Sequence, residues 1–171
     1  YRLDSSPGTW PGPAAMVGAM TTAADRPMAL ALVQAQAAMA AGEVPVGAVL
    51  VDGPSGRVIA FAHNQVERLA DPTAHAEMLV LRAGAALLAT PRLVQCDLYV
   101  TLEPCAMCAQ AMALARIRRL YFGAPDPKGG GVEHGARIFS QPTCYHRPEV
   151  YGGLSEQAAA TLLREFFRAR R

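Results

Sequence analysis

The sequence has little cysteine, little net charge and no long apolar run. Four cysteines in 171 residues are too few for the disulfide framework of a small secreted domain. A net charge of +2 does not identify a nucleic-acid-binding protein by its global electrostatics. No stretch approaches the roughly 18 consecutive apolar residues of a membrane-spanning helix, so we expect no membrane partner. Because a reducing compartment would keep the thiols available to a metal, we expect a cytoplasmic protein.

The apolar content and the distribution of basic residues say more than the totals. Hydrophobic residues make up 51% of the chain, which is enough for one domain with a buried core. The basic residues concentrate in two places, at Arg116, Arg118 and Arg119 and at Arg164, Arg168, Arg170 and Arg171. Such stripes can attract phosphates or can simply keep a helix face soluble. Charge alone does not decide between the two.

The first 26 residues differ from the rest in composition. They are rich in Pro, Gly, Ser, Thr and Ala, and such a segment cannot bury enough apolar surface to offset the entropy of ordering it. We therefore predict a disordered leader over residues 1–26 and a folded domain over residues 27–171. Met16, Met20 and Met28 are alternative starts, and part of the leader would then not belong to the protein.

Hydrophobic periodicity and turn residues predict an α/β domain. Predicted helices cover residues 28–41, 73 or 74 to 87, 104–115 and 155–169, and predicted strands cover 44–51, 57–62, 97–101, 117–122 and, weakly, 149–151. The first two strands form a hairpin, residues 64–72 are irregular, and the strand–helix–strand unit over 98–122 requires a parallel crossover. Inward positions are Leu30, Val33 and Ala37 on the first helix and Leu162, Leu163, Phe166 and Phe167 on the last, which Ser155 is expected to cap.

Two short motifs supply the groups of a metal site. One contains His75 and Glu77, and the other contains Pro104, Cys105 and Cys108. Zinc favours nitrogen and sulfur ligands, and three protein ligands with one position left for water are typical of a catalytic site. The order His-x-Glu followed by Pro-Cys-x-x-Cys is a recorded signature of zinc deaminases that act on nucleobases. The motifs predict one Zn²⁺ per subunit, and they predict that Glu77 transfers protons.

Both motifs fall where a helix is predicted to begin. The positive end of the helix dipole favours the thiolate forms of Cys105 and Cys108, and their spacing of three puts both sulfurs on one helix face. Since neighbouring strand–helix units begin their helices at the same sheet edge, His75 can meet the two thiols. Glu77 can then act as a general base on a water without being a ligand, which predicts hydrolytic deamination.

The Cys-x-x-Cys motif has two alternative interpretations that involve no hydrolytic deamination. A redox pair would leave His75 and Glu77 without a role. A structural zinc site in an RNA-binding protein without turnover would need a fourth ligand, which would have to come from His63, His134, His146 or Cys144. Glu77 discriminates between these readings because a structural site has no use for an unligated carboxylate at that place.

Residues 28–171 resemble the bacterial tRNA-specific adenosine deaminase family. The matching stretches are 43–50 (EVPVGAVL), 71–77 (DPTAHAE), 98–105 (LYVTLEPC), 116–119 (RIRR), 121–124 (YFGA) and 166–168 (FFR). The resemblance implies a three-layer α/β/α cytidine-deaminase-like fold with a mixed five-stranded sheet, and homodimers whose tRNA sites use both subunits. It also implies conversion of the wobble adenosine of a tRNA anticodon to inosine. Asn64 falls where the family contacts the extruded base, and Ala76 falls where backbone contacts the substrate.

The resemblance further implies an RNA surface around the pocket. The candidate phosphate contacts are Lys128, Arg147, Arg168 and Arg170, the candidate stacking residues are Tyr145, His146 and Phe167, and Asp126 is a further candidate contact. The alternative for each charged or aromatic side chain is a solvated charge or a core aromatic. Residues 129–139 and Pro125 depart from the commonest family pattern, so details of anticodon recognition are left open. The alternative activity is deamination of a free base or nucleoside of the guanine or cytosine type. No DNA partner is expected.

Overall fold

Five strands form one mixed sheet in the computed structural model, which describes residues 25–170. They are β1 (Gly47–Asp52), β2 (Val58–His63), β3 (Cys96–Leu102), β4 (Arg119–Ala124) and β5 (Glu149–Tyr151), in the spatial order β2-β1-β3-β4-β5. Strand β1 is antiparallel to β2 and β3, whereas β3, β4 and β5 are parallel. The predicted hairpin, parallel crossover and fifth strand are confirmed. The predicted leader lies outside the described residues, except for its last two positions.

Helices cover both faces of this sheet. They are α1 (Asp25–Ala40), α2 (Val66–Leu69), α3 (Ala76–Leu87), α4 (Ala106–Ala115) and α5 (Glu156–Arg168). Helices α1 and α5 pack on one face, and α3 and α4 pack side by side on the other. The predicted three-layer α/β/α fold is therefore confirmed. Within residues 25–170, no helix combines the length and the apolarity that crossing a membrane would require.

Successive residues along the strands point alternately into two hydrophobic cores, one on each face of the sheet. On β1, Leu50 points to the larger core beneath α3 and α4, and Val49 points to the smaller core beneath α1. Leu98 and Tyr99 divide in the same way on β3. This alternation is the period of two expected for a strand covered on both faces. Full burial of one such leucine stabilises the fold by roughly 1.5–3 kcal/mol.

The buried face of α1 differs from the predicted one. The residues that become inaccessible are Met28, Ala31, Ala35 and Ala38, whereas Leu30 and Val33 are half-buried and Ala37 is exposed. Apolar residues occur all round this helix, so the sequence pattern does not select a face. The alanines face the sheet because their small side chains allow α1 to pack closely on it. The approach at Gly47 is so close that an added Cβ would lie 2.0 Å from the Ala31 carbonyl oxygen.

The prediction for α5 was also wrong at one position. Phe166 is only 4% exposed, but Phe167 is 51% exposed. Leu162 and Leu163 are half-buried. Adjacent helical residues point about 100° apart, and the sheet covers only one side of the helix. Ser155 lies at the expected cap position, but its side chain makes no capping hydrogen bond and its φ is 57°.

The short helix α2 was not predicted. Its first N–H groups are satisfied from far along the chain, because Glu43 accepts hydrogen bonds from the N–H groups of Glu67 at 3.2 Å and Arg68 at 2.9 Å. A carboxylate is the preferred partner at a helix start. Since this one lies more than 20 residues upstream, no local capping pattern reveals the helix.

The first basic cluster is partly neutralised in the fold. Arg118 donates to both carboxylate oxygens of Asp97 at 2.8 and 2.7 Å, and Arg119 pairs with Glu149 at 2.8 Å. The hydrogen bond from Arg118 raises the pKa of its guanidinium, and Asp97 is buried. These arginines therefore tie β4 to its neighbouring strands, and they do not form a free stripe for phosphates.

Candidate active site

The predicted metal ligands meet at the starts of two neighbouring helices. His75 occupies the N-cap of α3 and Cys105 the N-cap of α4, both with extended backbone. Each helix begins slightly later than predicted, so these two residues precede the first turn, and Cys108 lies within it. Strands β2 and β3 both run antiparallel to β1 and so point the same way, which puts the start of α3, after β2, and the start of α4, after β3, at the same sheet edge. Residues separated by 30 positions are thereby brought into contact.

The spacing of the three ligand atoms fits a tetrahedral zinc ion. His75 Nδ1 lies 3.7 Å from Cys105 Sγ and 3.6 Å from Cys108 Sγ, and all three atoms lie within 4.8 Å of one another. Zn–N and Zn–S bonds at a tetrahedral angle place nitrogen and sulfur about 3.5 Å apart. No other group of three His, Cys, Asp or Glu side chains among residues 25–170 could hold a metal ion in this way. The donor set and the spacing therefore both fit zinc.

The two thiols are chemically unequal. The hydrogen bond between the Cys105 and Cys108 side chains lowers the pKa of Cys105 to about 4, against the opposing effect of burial, and His75 adds to the lowering. The same hydrogen bond, together with burial, raises the pKa of Cys108. These contacts therefore favour the thiolate form at Cys105. Thiolates are the form in which cysteine binds metals.

Glu77 lies beside the ligands in the first turn of α3 and is only 4% exposed. Burial raises the pKa of its carboxyl group. Its Oε2 atom has no hydrogen-bond partner among the described residues. Buried polar atoms are nearly always hydrogen-bonded, so this oxygen is suited to a group that arrives with substrate or metal.

Asn64 and Ala76 contact each other. The Ala76 N–H donates to Asn64 Oδ1 at 2.9 Å, and both residues are buried. Because a backbone N–H can only donate, it fixes the orientation of the Asn64 amide. The Asn64 NH₂ group therefore points away from Ala76, and Asn64 lines the cavity. The predicted substrate contacts of Asn64 and Ala76 remain predictions, with the Ala76 N–H already engaged.

A cavity of about 610 Å³ opens beside the ligand cluster. Its floor contains Asn64, His75, Glu77 and Cys105, and its walls come from the α1–β1 connection, α2, the loop after β4 and the end of α5. Ligand pockets typically measure about 300–1,000 Å³. The cavity is therefore large enough for a nucleoside, and its floor carries the reactive groups.

The end of α5 contributes Phe166 and Arg170 to this cavity. The Arg170 guanidinium lies 3.6 Å from the centre of the Phe166 ring and donates to the Gly42 carbonyl at 3.0 Å. The predicted contacts Phe167 and Arg168 instead lie on another side of the helix, beside a separate hollow with Leu163 and Arg164. Their predicted role in RNA binding is untested.

The other predicted RNA contacts are scattered. Asp126 lines the cavity, and its Oδ1 accepts from the N–H groups of Lys128 and Gly129 at 3.1 and 3.0 Å. The Lys128 side chain is exposed. His146 bonds to the Ile117 carbonyl at 2.6 Å, near the start of β4 and thus at the opposite sheet edge from the ligands. Arg147 is exposed beside it.

One residue of the site escaped sequence analysis as a functional residue. Glu103, which precedes the Pro104-Cys105 pair, is only 2% exposed, and residues 126–134, termed the glycine loop below, wrap around its carboxylate. Burial would raise the pKa of Glu103, but hydrogen bonds from Asp126 and His134 outweigh it and hold the pKa at about 2. The available signal was a charged residue directly between the end of β3 and the Pro104-Cys105 pair.

Comparison with known proteins identifies the family. Residues 21–124 match the family model for the cytidine and deoxycytidylate deaminase zinc-binding region. A tRNA-specific adenosine deaminase from Agrobacterium fabrum is 58% identical over 144 residues, which cover 84% of this chain and 93% of that protein.

Solved structures agree with these matches. A structure from a study of A-to-I editing by tRNA:A34 deaminases superposes with a TM-score of 0.78 at 57% identity and covers 81% of this chain and 99% of its own. A guanine deaminase from Nitrosomonas europaea superposes with a TM-score of 0.73 at 27% identity, covering 83% of each chain. The chain thus belongs to the zinc-dependent cytidine and deoxycytidylate deaminases and, within them, to the tRNA-specific adenosine deaminases.

Proposed function

We propose that the protein converts adenosine to inosine at the wobble position of a tRNA anticodon by hydrolytic deamination. One observation carries the proposal: two members of the ligand cluster, His75 and Cys105, line a cavity together with Glu77, whose Oε2 has no hydrogen-bond partner among the described residues. A structural zinc site needs four protein ligands, whereas this cluster offers three. The high identity to a tRNA-specific adenosine deaminase supports adenosine in tRNA as the substrate.

The metal and the protein have separate tasks in this proposal. His75, Cys105 and Cys108 would hold one zinc ion per subunit, and zinc in such a site lowers the pKa of water toward about 7 and polarises the group under attack. Glu77 Oε2 takes a proton from the attacking water and delivers protons to the ring nitrogen and to the departing amine. A C–O bond forms at C6 of adenine, the C–N bond to the amine breaks, and ammonia leaves.

Substrate selection is assigned to the cavity walls. An enzyme that acts on a base within a polymer needs that base unstacked, and an anticodon loop already presents such bases. The Asn64 NH₂ group can donate to the base within the cavity. Outside the cavity, the exposed Lys128, Phe167 and Arg168 offer charge and a stacking surface for flanking nucleotides.

A free-base deaminase is the competing function. The fold similarity to a guanine deaminase at 27% identity favours it, because the zinc chemistry would be the same for both substrates. The two functions require cavity walls of different shape, because the substrates differ in size. A free base needs a closed pocket, whereas an anticodon loop needs an open one with basic side chains at its rim.

An anticodon stem-loop assay separates the two functions. The zinc-loaded protein is incubated with a stem-loop that carries adenosine at the wobble position, with the same stem-loop carrying adenosine one position away, and with free guanine and cytosine. We expect inosine only in the first RNA. Ammonia from a free base without inosine in RNA would overturn the proposal.

Assembly and location follow from the proposed function. We infer that the protein is a homodimer, since the resemblance implies tRNA sites that use both subunits, and that it acts in the cytoplasm on tRNA. Exposed apolar side chains such as Leu87, Val94 and Leu114 are consistent with a subunit interface. Sedimentation at micromolar concentration is expected to give a dimer, and a monomer would contradict the inference.

A further inference from the structure

The glycine loop is held by one buried carboxylate. Glu103 Oε1 accepts hydrogen bonds from the N–H groups of Val132 at 3.2 Å, Glu133 at 2.8 Å and His134 at 2.9 Å. Its Oε2 accepts from the Asp126 N–H at 3.0 Å and faces His134 Nδ1 at 2.7 Å. The Glu103 side chain is 0% exposed. Both ends of the loop therefore converge on one carboxylate, through four backbone N–H groups and the His134 ring.

Glycines bring the loop into direct contact with the segment that carries the first metal thiolate. A Cβ at Gly130 would lie 2.6 Å from the Glu103 carboxyl carbon, and one at Gly131 would lie 2.5 Å from the Ala106 nitrogen. Gly131 N–H donates to the Pro104 carbonyl at 2.8 Å, and Gly130 forms an isolated bridge with Cys105. There is no room for side chains at this contact, so the two segments can keep only one relative position.

The contact matters because the two segments form adjoining parts of the cavity. Cys105 lies on the floor, and Asp126 and Gly129 of the glycine loop lie on the wall. A displaced loop would change the distance between the wall and the reacting groups while leaving His75, Cys105 and Cys108 in place. A displaced wall loses contacts that the substrate makes equally before and during the reaction, and such a loss raises KM more than it lowers kcat.

We propose that Glu103 is a positioning residue for RNA binding, which fixes the glycine loop at the distance from the metal centre that the substrate requires. This positioning role rests on the proposed function, because it requires the anticodon loop of the tRNA to contact the part of the cavity wall that the glycine loop forms. It gives a role to residues 129–134, which belong to the stretch 129–139 whose part in anticodon recognition the sequence left open.

Glu103→Gln tests this role with almost no change in shape. The glutamine carbonyl can keep the three bonds from Val132, Glu133 and His134, but its NH₂ group then faces the Asp126 N–H, and two donors repel. We expect the loop to detach at Asp126, so KM for the stem-loop rises about tenfold while kcat changes less than about threefold. Zinc content should stay at the wild-type level.

Asp97→Asn is the matched control. Asp97 is a buried carboxylate on the same strand, and it is bonded to Arg118 at the other end of β3. Loss of the Asp97 carboxylate should lower the melting temperature without changing KM for the stem-loop. His134→Ala is a milder variant, which removes one partner of Glu103 and leaves the backbone bonds intact. We expect it to raise KM about twofold to threefold.

The outcomes are distinguishable. A wild-type KM in Glu103→Gln, a fall in kcat alone, or loss of zinc would overturn the positioning role. If Glu103→Gln does not fold, His134→Ala decides, and an unchanged KM in that variant overturns the proposal. A wild-type enzyme that makes no inosine in the stem-loop would instead refute the proposed function.

Discussion

Glu77 and Glu103 are both buried in the cavity lining, yet their carboxyl groups are bonded in opposite ways. Glu103 is surrounded by five donor groups of the glycine loop. Glu77 Oε2 has no partner in the part of the chain that the structure describes. Burial raises the pKa of Glu77, while hydrogen bonds lower that of Glu103 to about 2 against the effect of burial.

The difference is the one we expect between a group proposed to move protons and a group that holds structure. A carboxylate saturated by donors stays charged and cannot exchange protons near neutral pH. A carboxyl group with a free oxygen and a raised pKa is suited to general acid–base catalysis. The two residues precede or follow metal ligands by two positions, so proximity to the metal does not by itself assign a role.

The largest effect is expected from Glu77→Ala. Removing the proton-transferring group should reduce kcat by about 10²–10⁴-fold, while zinc content and the melting temperature stay close to wild type. Single-turnover deamination of the stem-loop, with metal analysis of the same sample, measures this. Glu156→Ala, which removes an exposed carboxylate at the start of α5, should leave kcat unchanged. Equal activity in Glu77→Ala would remove Glu77 from the mechanism.

Asn64 should give an intermediate effect that depends on the substitution. Asn64→Asp keeps an acceptor for the Ala76 N–H but loses the NH₂ donor, so the fold should persist while kcat/KM falls about 10–100-fold. Asn64→Ala leaves the buried Ala76 N–H without a partner, which should cost about 1–3 kcal/mol of stability. Urea unfolding and steady-state kinetics of both variants measure these effects. If both variants lose stability equally, the Asn64 oxygen does not support α3.

The smallest effect is expected at the cavity rim. Arg170→Gln should weaken stem-loop binding about fivefold and reduce the slope of log K against log salt by about 1, as for loss of one phosphate contact. Arg92→Gln is the control, because Arg92 is exposed beyond the opposite end of β3. Binding titrations at several salt concentrations measure both. An unchanged slope in Arg170→Gln would show that Arg170 contacts only Phe166 and Gly42 of its own chain and no phosphate.

Local spacing explains what could be predicted from the sequence. His75, Cys105 and Cys108 are recognisable because a metal constrains residue type and because each motif begins a helix, so short-range patterns carry the geometry. The same holds for the β1–β2 hairpin, where turn residues lie between two apolar strands. Glu77 was predicted for the same reason, because it follows His75 by two positions at the start of α3, and its role in proton transfer stays a prediction.

Features that depend on packing or on distant partners could not be predicted. Helix α1 is apolar on all sides, so only the sheet selects its buried alanines. Phe166 and Phe167 are chemically identical, and only the position of α5 on the sheet sends one into the cavity and the other to solvent. Glu103 looks like one more motif residue until the glycine loop, 23 or more residues downstream, is seen to bind it.

The most direct test of the central claim is a competition experiment in one reaction mixture. Wild-type, zinc-loaded protein receives the wobble-adenosine stem-loop and free guanine together, and inosine in the digested RNA is quantified beside released ammonia. We predict one inosine at the wobble nucleotide per ammonia released, with guanine unchanged. An unmodified stem-loop with ammonia derived from guanine would contradict the proposed function. Only the zinc-dependent deamination chemistry would then remain of the account.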